Sequence, residues 1–358
     1  MTPQQMKEAE EASALFHVAL ISLGARAVSD TLSLWDDVPP VLNVSNTRAA
    51  QKWLATAIEY VMRRRLRARD MALAYYRYQR ALTTGTTIAL PGQDNPPYMT
   101  LPELKRQFES HLNPEVPPED GSADSTDALE ADVPEADRIP VEDLDGLDGD
   151  LDALEQETVE QVRDNLIVLG PINQDRKTRG ARYVETVEQS DASRAEAHGN
   201  AGRRQAAAAA RNVMNGARGS LFLAADSDRR ALGFVRVSRT GTPCGFCAML
   251  ISLGPVLKKD GRQASLYRAN EGTGPKADGS IVTYGDLDLY HDNCQCYAVP
   301  VFSTQQFGSG DIFAMNREYA ELWETHIQDQ YSGDEALSEW RRLIRDRAKS
   351  QKSLEAAA

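Results

Sequence analysis

The sequence predicts a mainly α-helical protein with a small α+β module near its C-terminus and an acidic disordered linker between helical parts. Three observations lead to this fold class. Apolar residues recur at helical spacing over most of the chain, one segment is dominated by acids, and all four cysteines lie in one region of strand-like sequence. Single cores stop growing at roughly 250 to 300 residues, so a chain of 358 residues favours two or three compact units.

Changes in composition divide the chain into five segments. Helical periodicity is interrupted once by acidic sequence and once by the cysteine-bearing region. The segments are an N-terminal helical domain at 1–112, the acidic linker at 113–157, a helical region at 158–230, the α+β module at 231–303 and C-terminal helices at 304–358.

The N-terminal domain contains one long predicted helix, over residues 49–81. Ser45 is placed to cap its start, and apolar residues recur on one face. The middle of the helix carries five arginines. Arginines and the tyrosines that follow them suit nucleic-acid contact, whereas such close spacing around a helix suits a solvated face or an acidic protein partner. A weak DNA contact is therefore one of two interpretations of Arg63, Arg64, Arg65, Arg67 and Arg69.

Residues 114–160 hold eighteen Asp and Glu against one basic residue, Arg138. The local charge of −17 exceeds the net charge of −13, so the rest of the chain is basic by +4. Little apolar surface and strong charge repulsion predict an extended, disordered linker. Calcium binding by DLDGLDGD is a weaker alternative, because the terminal glutamate and flanking helices of an EF-hand are missing.

The second half of the chain has helical patterns on either side of a region with strand-like alternation. The alanine-rich run at 205–211 predicts a long helix that ends near Gly216 or Gly219. The last fifty residues predict two amphipathic helices, separated by a break at Ser332 and Gly333, whose tryptophans we expect to be buried in a core. Alternation of β-branched and aromatic residues predicts strands at 232–240, 280–284 and 297–302.

We expect no membrane contact and no targeting segment. The apolar stretch from Ala12 to Gly24 is interrupted by His17 and Ser22, and we find no uncharged apolar run of about 18 to 20 residues. Folding is therefore expected in a cytoplasm, where thiols stay reduced. Closely spaced cysteines then favour metal binding or catalysis over disulfides.

The cysteines form two tight pairs, one in TPCGFCAML and one in YHDNCQCYAVPVF. A C-x2-C turn presents two thiolates from one knuckle, and zinc takes four Cys or His ligands in a tetrahedron. We therefore predict a structural, zinc-knuckle-like site in the module. Spacing gives five candidate ligands for four positions, namely Cys244, Cys247, His291, Cys294 and Cys296.

Other interpretations of these residues stay open. A disulfide such as Cys244 to Cys294 is geometrically possible, and the thiols could be inert. Pro243-Cys244-x2-Cys247 is also half of the zinc deaminase signature, but the H-x-E half is missing upstream. A nucleophilic pair of Cys244 and His291 has no supporting local motif. We predict no catalytic residue and no organic cofactor.

The sequences RVSRTGTPCGFCAMLISLGPV and YHDNCQCYAVPVF together resemble the C-terminal module of MuF-like minor capsid proteins. These are head morphogenesis proteins of tailed bacteriophages, and the forms from actinobacterial phages are the most similar. The resemblance covers about 75 residues, from Ala231 to Phe302. No toxin or ADP-ribosyltransferase segment of the kind fused to some family members is recognisable.

The resemblance implies a low-copy virion component in the capsid interior or at the portal vertex. It implies assembly in the host cytoplasm, association with the portal protein and a role in DNA packaging or ejection. Scaffold and major capsid protein are further implied partners. The alternative function is a capsid maturation protease, or another Cys/His or zinc-dependent hydrolase.

Overall fold

The protein is mainly helical, which confirms the mainly α part of the predicted fold class. The computed structural model describes residues 1–113, 133–180, 187–239, 243–257, 272–275, 281–284 and 294–357. Its helices are α1 (Pro3–Trp35), α2 (Arg48–Thr84), α3 (Leu101–Leu112), α4 (Leu147–Ile167), α5 (Asn173–Gly180), α6 (Val187–Ser227), α7 (Gly245–Ser252), α8 (Thr304–Ser309), α9 (Ala314–Trp323) and α10 (Gly333–Ala357). Its strands are β1 (Thr87–Ile88), β2 (Tyr98–Met99), β3 (Ile139–Glu142), β4 (Gly233–Val237), β5 (Val256–Leu257), β6 (Gly272–Pro275), β7 (Ile281–Tyr284) and β8 (Tyr297–Val301).

The long helices α1, α2 and α6 pack against one another and form the centre of the molecule. Their buried side chains belong to one connected apolar core, which extends from Ala9 to Ile344. Helix α1 is long and apolar enough to span a membrane by length and composition alone. Half of its most apolar stretch is buried, and the helix packs on α2 and α6.

Helix α2 confirms the long helix predicted at 49–81, but its cap is different. Thr47 is the N-cap, and its hydroxyl accepts a hydrogen bond of 3.2 Å from the Ala50 N–H. The predicted cap, Ser45, lies in a preceding 3-10 turn, where the carboxylate of Asp175 accepts from its N–H at 3.2 Å and from its hydroxyl. The helix ends at Gly85, whose φ of 73° suits glycine.

Helix α6 is longer than predicted, because it continues to Ser227 past the two glycines expected to end it. Gly216 lies where α6 crosses α2. A Cβ at this position would be 2.4 Å from the backbone oxygen of Arg65. The glycine therefore allows a close helix crossing and does not terminate the helix.

The predicted disordered linker is wrong for residues 133–157, which form β3 and the first half of α4; residues 114–132 lie outside the described residues. Strand β3 lies between β1, to which it is parallel, and β2, to which it is antiparallel. Ile139, Leu147 and Leu151 are buried in the core. A few well-placed apolar residues thus order a segment whose average composition is acidic.

Arginines pair with two of the acids of this segment, Glu142 and Glu155. Arg65 on α2 donates from Nε to Glu155 on α4 at 2.8 Å, and Arg80 on α2 donates to Glu142 on β3 at 2.6 Å. Arg230 donates a second hydrogen bond to Glu142 at 2.5 Å. Because opposite charges meet at short range, the repulsion expected from composition does not prevent folding.

The cysteine-bearing region contains the predicted strands at 232–240, 280–284 and 297–302, observed as β4, β7 and β8. Strand β4 is central in the order β5-β4-β8 and pairs antiparallel with both neighbours. Strands β6 and β7 form a separate antiparallel pair. All residues of β4 and β8 are buried. This sheet places the start of β8 beside α7.

The C-terminal helices α9 and α10 pack on α7. Trp340 is fully buried, and its ring centroid lies 5.2 Å from that of Trp323 and 6.1 Å from that of Tyr319. The prediction that the tryptophans are core residues is confirmed for Trp340. The chain break predicted at Ser332 and Gly333 separates the two helices.

Candidate metal centre

Three cysteines from two distant stretches of the chain form a buried cluster. The Sγ atoms of Cys247, Cys294 and Cys296 all lie within 4.8 Å of one another. The Cys247 and Cys294 sulfurs are 3.5 Å apart. Three of the five predicted ligands are therefore brought together.

The spacing of the sulfurs fits a single metal ion. With a Zn–S distance of about 2.3 Å, two thiolates on a tetrahedral zinc lie about 3.8 Å apart. A disulfide needs about 2.05 Å, and the cysteines are free thiols. Thiolates are ligands that zinc prefers, so the donor set and its compactness both suit this metal.

Local structure explains how each pair presents its sulfurs. Cys244 caps α7, and its Sγ accepts a hydrogen bond of 3.4 Å from the Cys247 N–H, which folds the C-x2-C segment into a turn. Cys294 and Cys296 lie two residues apart directly before β8, and both side chains are buried. Gln295, between them, is exposed.

Basic side chains from the long helices hold the second pair in place. Arg218 on α6 donates from Nη2 to the backbone oxygens of Cys294 at 2.6 Å and Cys296 at 2.8 Å, and from Nε to Cys296 at 3.1 Å. His17 on α1 places Nε2 2.8 Å from the oxygen of Gln295. A carbonyl only accepts, so Nε2 carries the proton. Three successive carbonyls are thus bound by the helical core.

A second arginine contacts the sulfurs directly. Arg236, in the middle of β4, is 1% exposed and donates from Nη1 to Cys247 Sγ at 3.6 Å. Its backbone oxygen accepts from Asn316 at 2.8 Å, which ties β4 to α9. Arg218 and Arg236 place positive charge beside the thiols.

The thiols affect one another's protonation. The pKa of Cys294 is lowered, first by a hydrogen bond from Cys247, then by one from Cys296, and also by the charges of Arg218 and Arg236. The pKa of Cys247 is raised, first by its interaction with Cys244 and then by that with Cys294. The hydrogen bonds and the two arginine charges favour the thiolate form of Cys294, which is the form that a metal ion binds.

Two of the five predicted ligands remain to be placed. Cys244 is adjacent to the cluster but exposed. His291 lies outside the described residues. The fourth ligand position therefore stays a prediction shared by these two residues.

Sequence reasoning missed three residues of the site, namely His17, Arg218 and Arg236. A signal existed for Arg236, because it interrupts the apolar run GFVRV in a strand with both faces buried. A buried charge in such a strand indicates a specific partner. Arg218 and His17 lie on helices far from the cysteines in sequence, and nothing in their local pattern links them to the site.

The five arginines of α2 that were predicted as a possible DNA contact all have partners within the chain. Arg63 pairs with Glu59, Arg64 with Asp30 and Arg69 with Asp70, while Arg67 donates to the backbone oxygen of Asn113. Arg65 is 1% exposed and pairs with Glu155, so it is not available to an outside partner.

A family model matches the part of the chain that contains the cysteine cluster. Residues 170–322 match the family model described as VG15 protein. The chain is 28% identical over 151 residues to "Gene 15 protein" of Mycobacterium phage L5. These similarities indicate a bacteriophage protein. The alignment covers 36% of this chain and 51% of the relative, so the chain spans about half of that protein's length. No solved structure matches the chain.

Proposed function

We propose that this chain is a low-copy minor capsid protein of the MuF-like kind, which acts at the portal vertex during assembly of the phage head. Its similarity to phage proteins supports the part of this proposal that the chain is a bacteriophage protein. The observation that carries the proposal is that the cysteines responsible for the MuF-like resemblance converge into one cluster within the matched residues 170–322.

Within this proposal, the cluster holds one structural zinc ion. Cys247, Cys294 and Cys296 would bind it, with Cys244 or His291 as fourth ligand. The metal would join α7 to the start of β8 and so close the small sheet β5-β4-β8. A structural zinc site contributes folding energy directly, which suits a module with few strands.

Burial of the cluster supports structure over catalysis. Cys247, Cys294 and Cys296 are 1%, 5% and 3% exposed. A nucleophilic thiol or a catalytic zinc must be reached by a substrate, whereas a structural site is closed by protein ligands. The hydrolase alternative therefore has less support from the geometry than the structural role.

The portal protein is the main partner that we propose, with scaffold and major capsid protein as further candidates. Residues 114–132 contain seven acids and no basic residue. Such a segment favours a basic protein surface and disfavours packaged DNA through simple charge complementarity. The chain would then reside inside the capsid or at the portal vertex.

Quantitative mass spectrometry of purified procapsids and mature particles tests this function. We expect the chain in both, at a small fraction of the copy number of the major capsid protein. A tagged chain co-expressed with the portal protein should retain it on affinity resin, and a variant lacking residues 114–132 should retain less. Absence from both kinds of particle would refute the proposal.

A further inference from the structure

Two arginines from different elements converge on the cysteine cluster. Arg236 comes from β4 and contacts a sulfur, with Nη1 3.6 Å from Cys247 Sγ. Arg218 comes from α6 and contacts the backbone of the second pair through three hydrogen bonds of 2.6 to 3.1 Å. Both are buried, at 1% and 3% exposure.

Burying a guanidinium is costly unless nearby groups compensate its charge. A divalent ion bound to three thiolates carries a net charge of −1, and a fourth thiolate would make it −2. Such a complex is anionic in a low-dielectric interior, where a neighbouring cation stabilises it strongly. The metal-loaded cluster is therefore the state in which these positions of Arg218 and Arg236 are most favourable.

The two arginines act in different ways. The N–H of Arg236 points at a ligand sulfur, and hydrogen bonds to metal-bound thiolates change their donor strength. Arg218 fixes the carbonyls of Cys294 and Cys296, and so fixes the direction in which both side chains leave the backbone. Arg236 therefore affects the donor strength of the Cys247 sulfur, whereas Arg218 affects the orientation of the Cys294 and Cys296 side chains.

We propose that Arg236 and Arg218 are positioning residues that set the metal affinity of the cysteine cluster. The inference rests on the metal site put forward above. Residues that support metal ligands from outside typically contribute 10- to 100-fold to metal affinity. We expect a loss of about 10- to 100-fold for Arg236→Gln, which removes the positive charge and shortens the side chain. Arg236→Lys keeps the charge without the planar fork, so its loss should be smaller.

The experiment is a competition titration of the full chain with Zn²⁺ against a chelator, in reducing buffer. Arg77→Gln is the matched control, because Arg77 is equally buried but bonds to Gln107 and Met99, away from the cluster. It should lower stability and leave metal affinity unchanged. A Co²⁺ titration adds a spectroscopic test, since loss of the N–H···S contact should shift the thiolate-to-cobalt absorption of Arg236→Gln.

The outcomes are distinguishable. Weaker Zn²⁺ binding and a shifted Co²⁺ spectrum in Arg236→Gln, with normal binding in Arg77→Gln, support the inference. If Arg236→Gln has the same Zn²⁺ affinity and the same Co²⁺ spectrum as wild type, the inference is overturned, whereas the proposed metal site is not. If the wild-type protein binds neither Zn²⁺ nor Co²⁺, both the metal site and the role of the arginines are overturned. If Arg236→Gln does not fold, Arg236→Lys and Arg218→Lys decide by the same criterion, with wild-type affinity in both as the refuting result.

Discussion

Asp228 and Arg80 form a buried ion pair that joins the end of α6 to α2. Arg80 donates from Nε to Asp228 at 2.6 Å and from Nη2 at 3.1 Å, and both side chains are 1% exposed. Tyr76 donates to the same carboxylate at 2.8 Å. Arg80 also reaches Glu142 on β3 at 2.6 Å. One guanidinium thus connects two long helices and the small N-terminal sheet.

Breaking this pair should destabilise the protein strongly. Asp228→Asn removes the charge that compensates Arg80, and loss of one partner of a buried pair typically costs about 3 to 5 kcal/mol. Urea unfolding followed by circular dichroism measures the change. Glu59→Gln, which breaks the exposed pair with Arg63, is the control and should cost less than about 1 kcal/mol. Equal effects of the two substitutions would argue against a stabilising role for the buried pair.

Replacing glycine by alanine should have opposite effects on stability at Gly216, where α6 crosses α2 closely, and at Gly149, which has open space around it. Gly216→Ala places a methyl group against the Arg65 carbonyl and should destabilise by roughly 1 to 3 kcal/mol. Gly149→Ala, in α4 with open space around it, should stabilise by about 0.5 to 1 kcal/mol through helix propensity. Thermal unfolding of both variants checks the signs. A Gly216→Ala variant as stable as wild type would show that the helices can separate at no cost.

Glu142 should make stability depend on pH in the acid range. Hydrogen bonds from Arg230 and Arg80 lower the pKa of Glu142 from 4.5 to about 2. A depressed folded-state pKa contributes stability that is fully present above pH 4.5 and is lost as the pH falls towards 2. Unfolding free energy measured across this range should therefore fall less steeply in Glu142→Gln than in wild type. Parallel curves for the two proteins would contradict the assignment.

Trp340 should anchor the C-terminal helices. Trp340→Ala removes a fully buried ring and should cost about 3 to 5 kcal/mol. Trp323→Ala removes a partly buried ring that packs against the same apolar core, and its loss of stability should be smaller. Chemical unfolding of both variants compares them. A larger loss for Trp323→Ala would mean that α10 is not held by this contact.

Much of the fold could be predicted from periodicity. The helical spacing of α2, the alternation in β4 and β8, and the break at Gly333 all indicate elements that the structure contains. These signals are local, because each depends on residues within one or two turns or one strand. Convergence of three cysteines was predicted on chemical grounds, because two closely spaced cysteine pairs in a reducing cytoplasm are typical of one metal site.

The rest depends on contacts between residues that are distant in sequence. In the acidic segment Glu155 pairs with Arg65 and Glu142 pairs with Arg80, and composition alone contains no information on those pairs. Gly216 resembles a helix terminator until the crossing with α2 is known.

The metal content of reduced, purified protein tests the account most directly. We predict one zinc per chain in the wild type, and loss of the metal together with a marked fall in melting temperature in Cys294→Ser. Metal-free wild-type protein that unfolds at the same temperature as Cys294→Ser, with or without added zinc, would contradict the central claim.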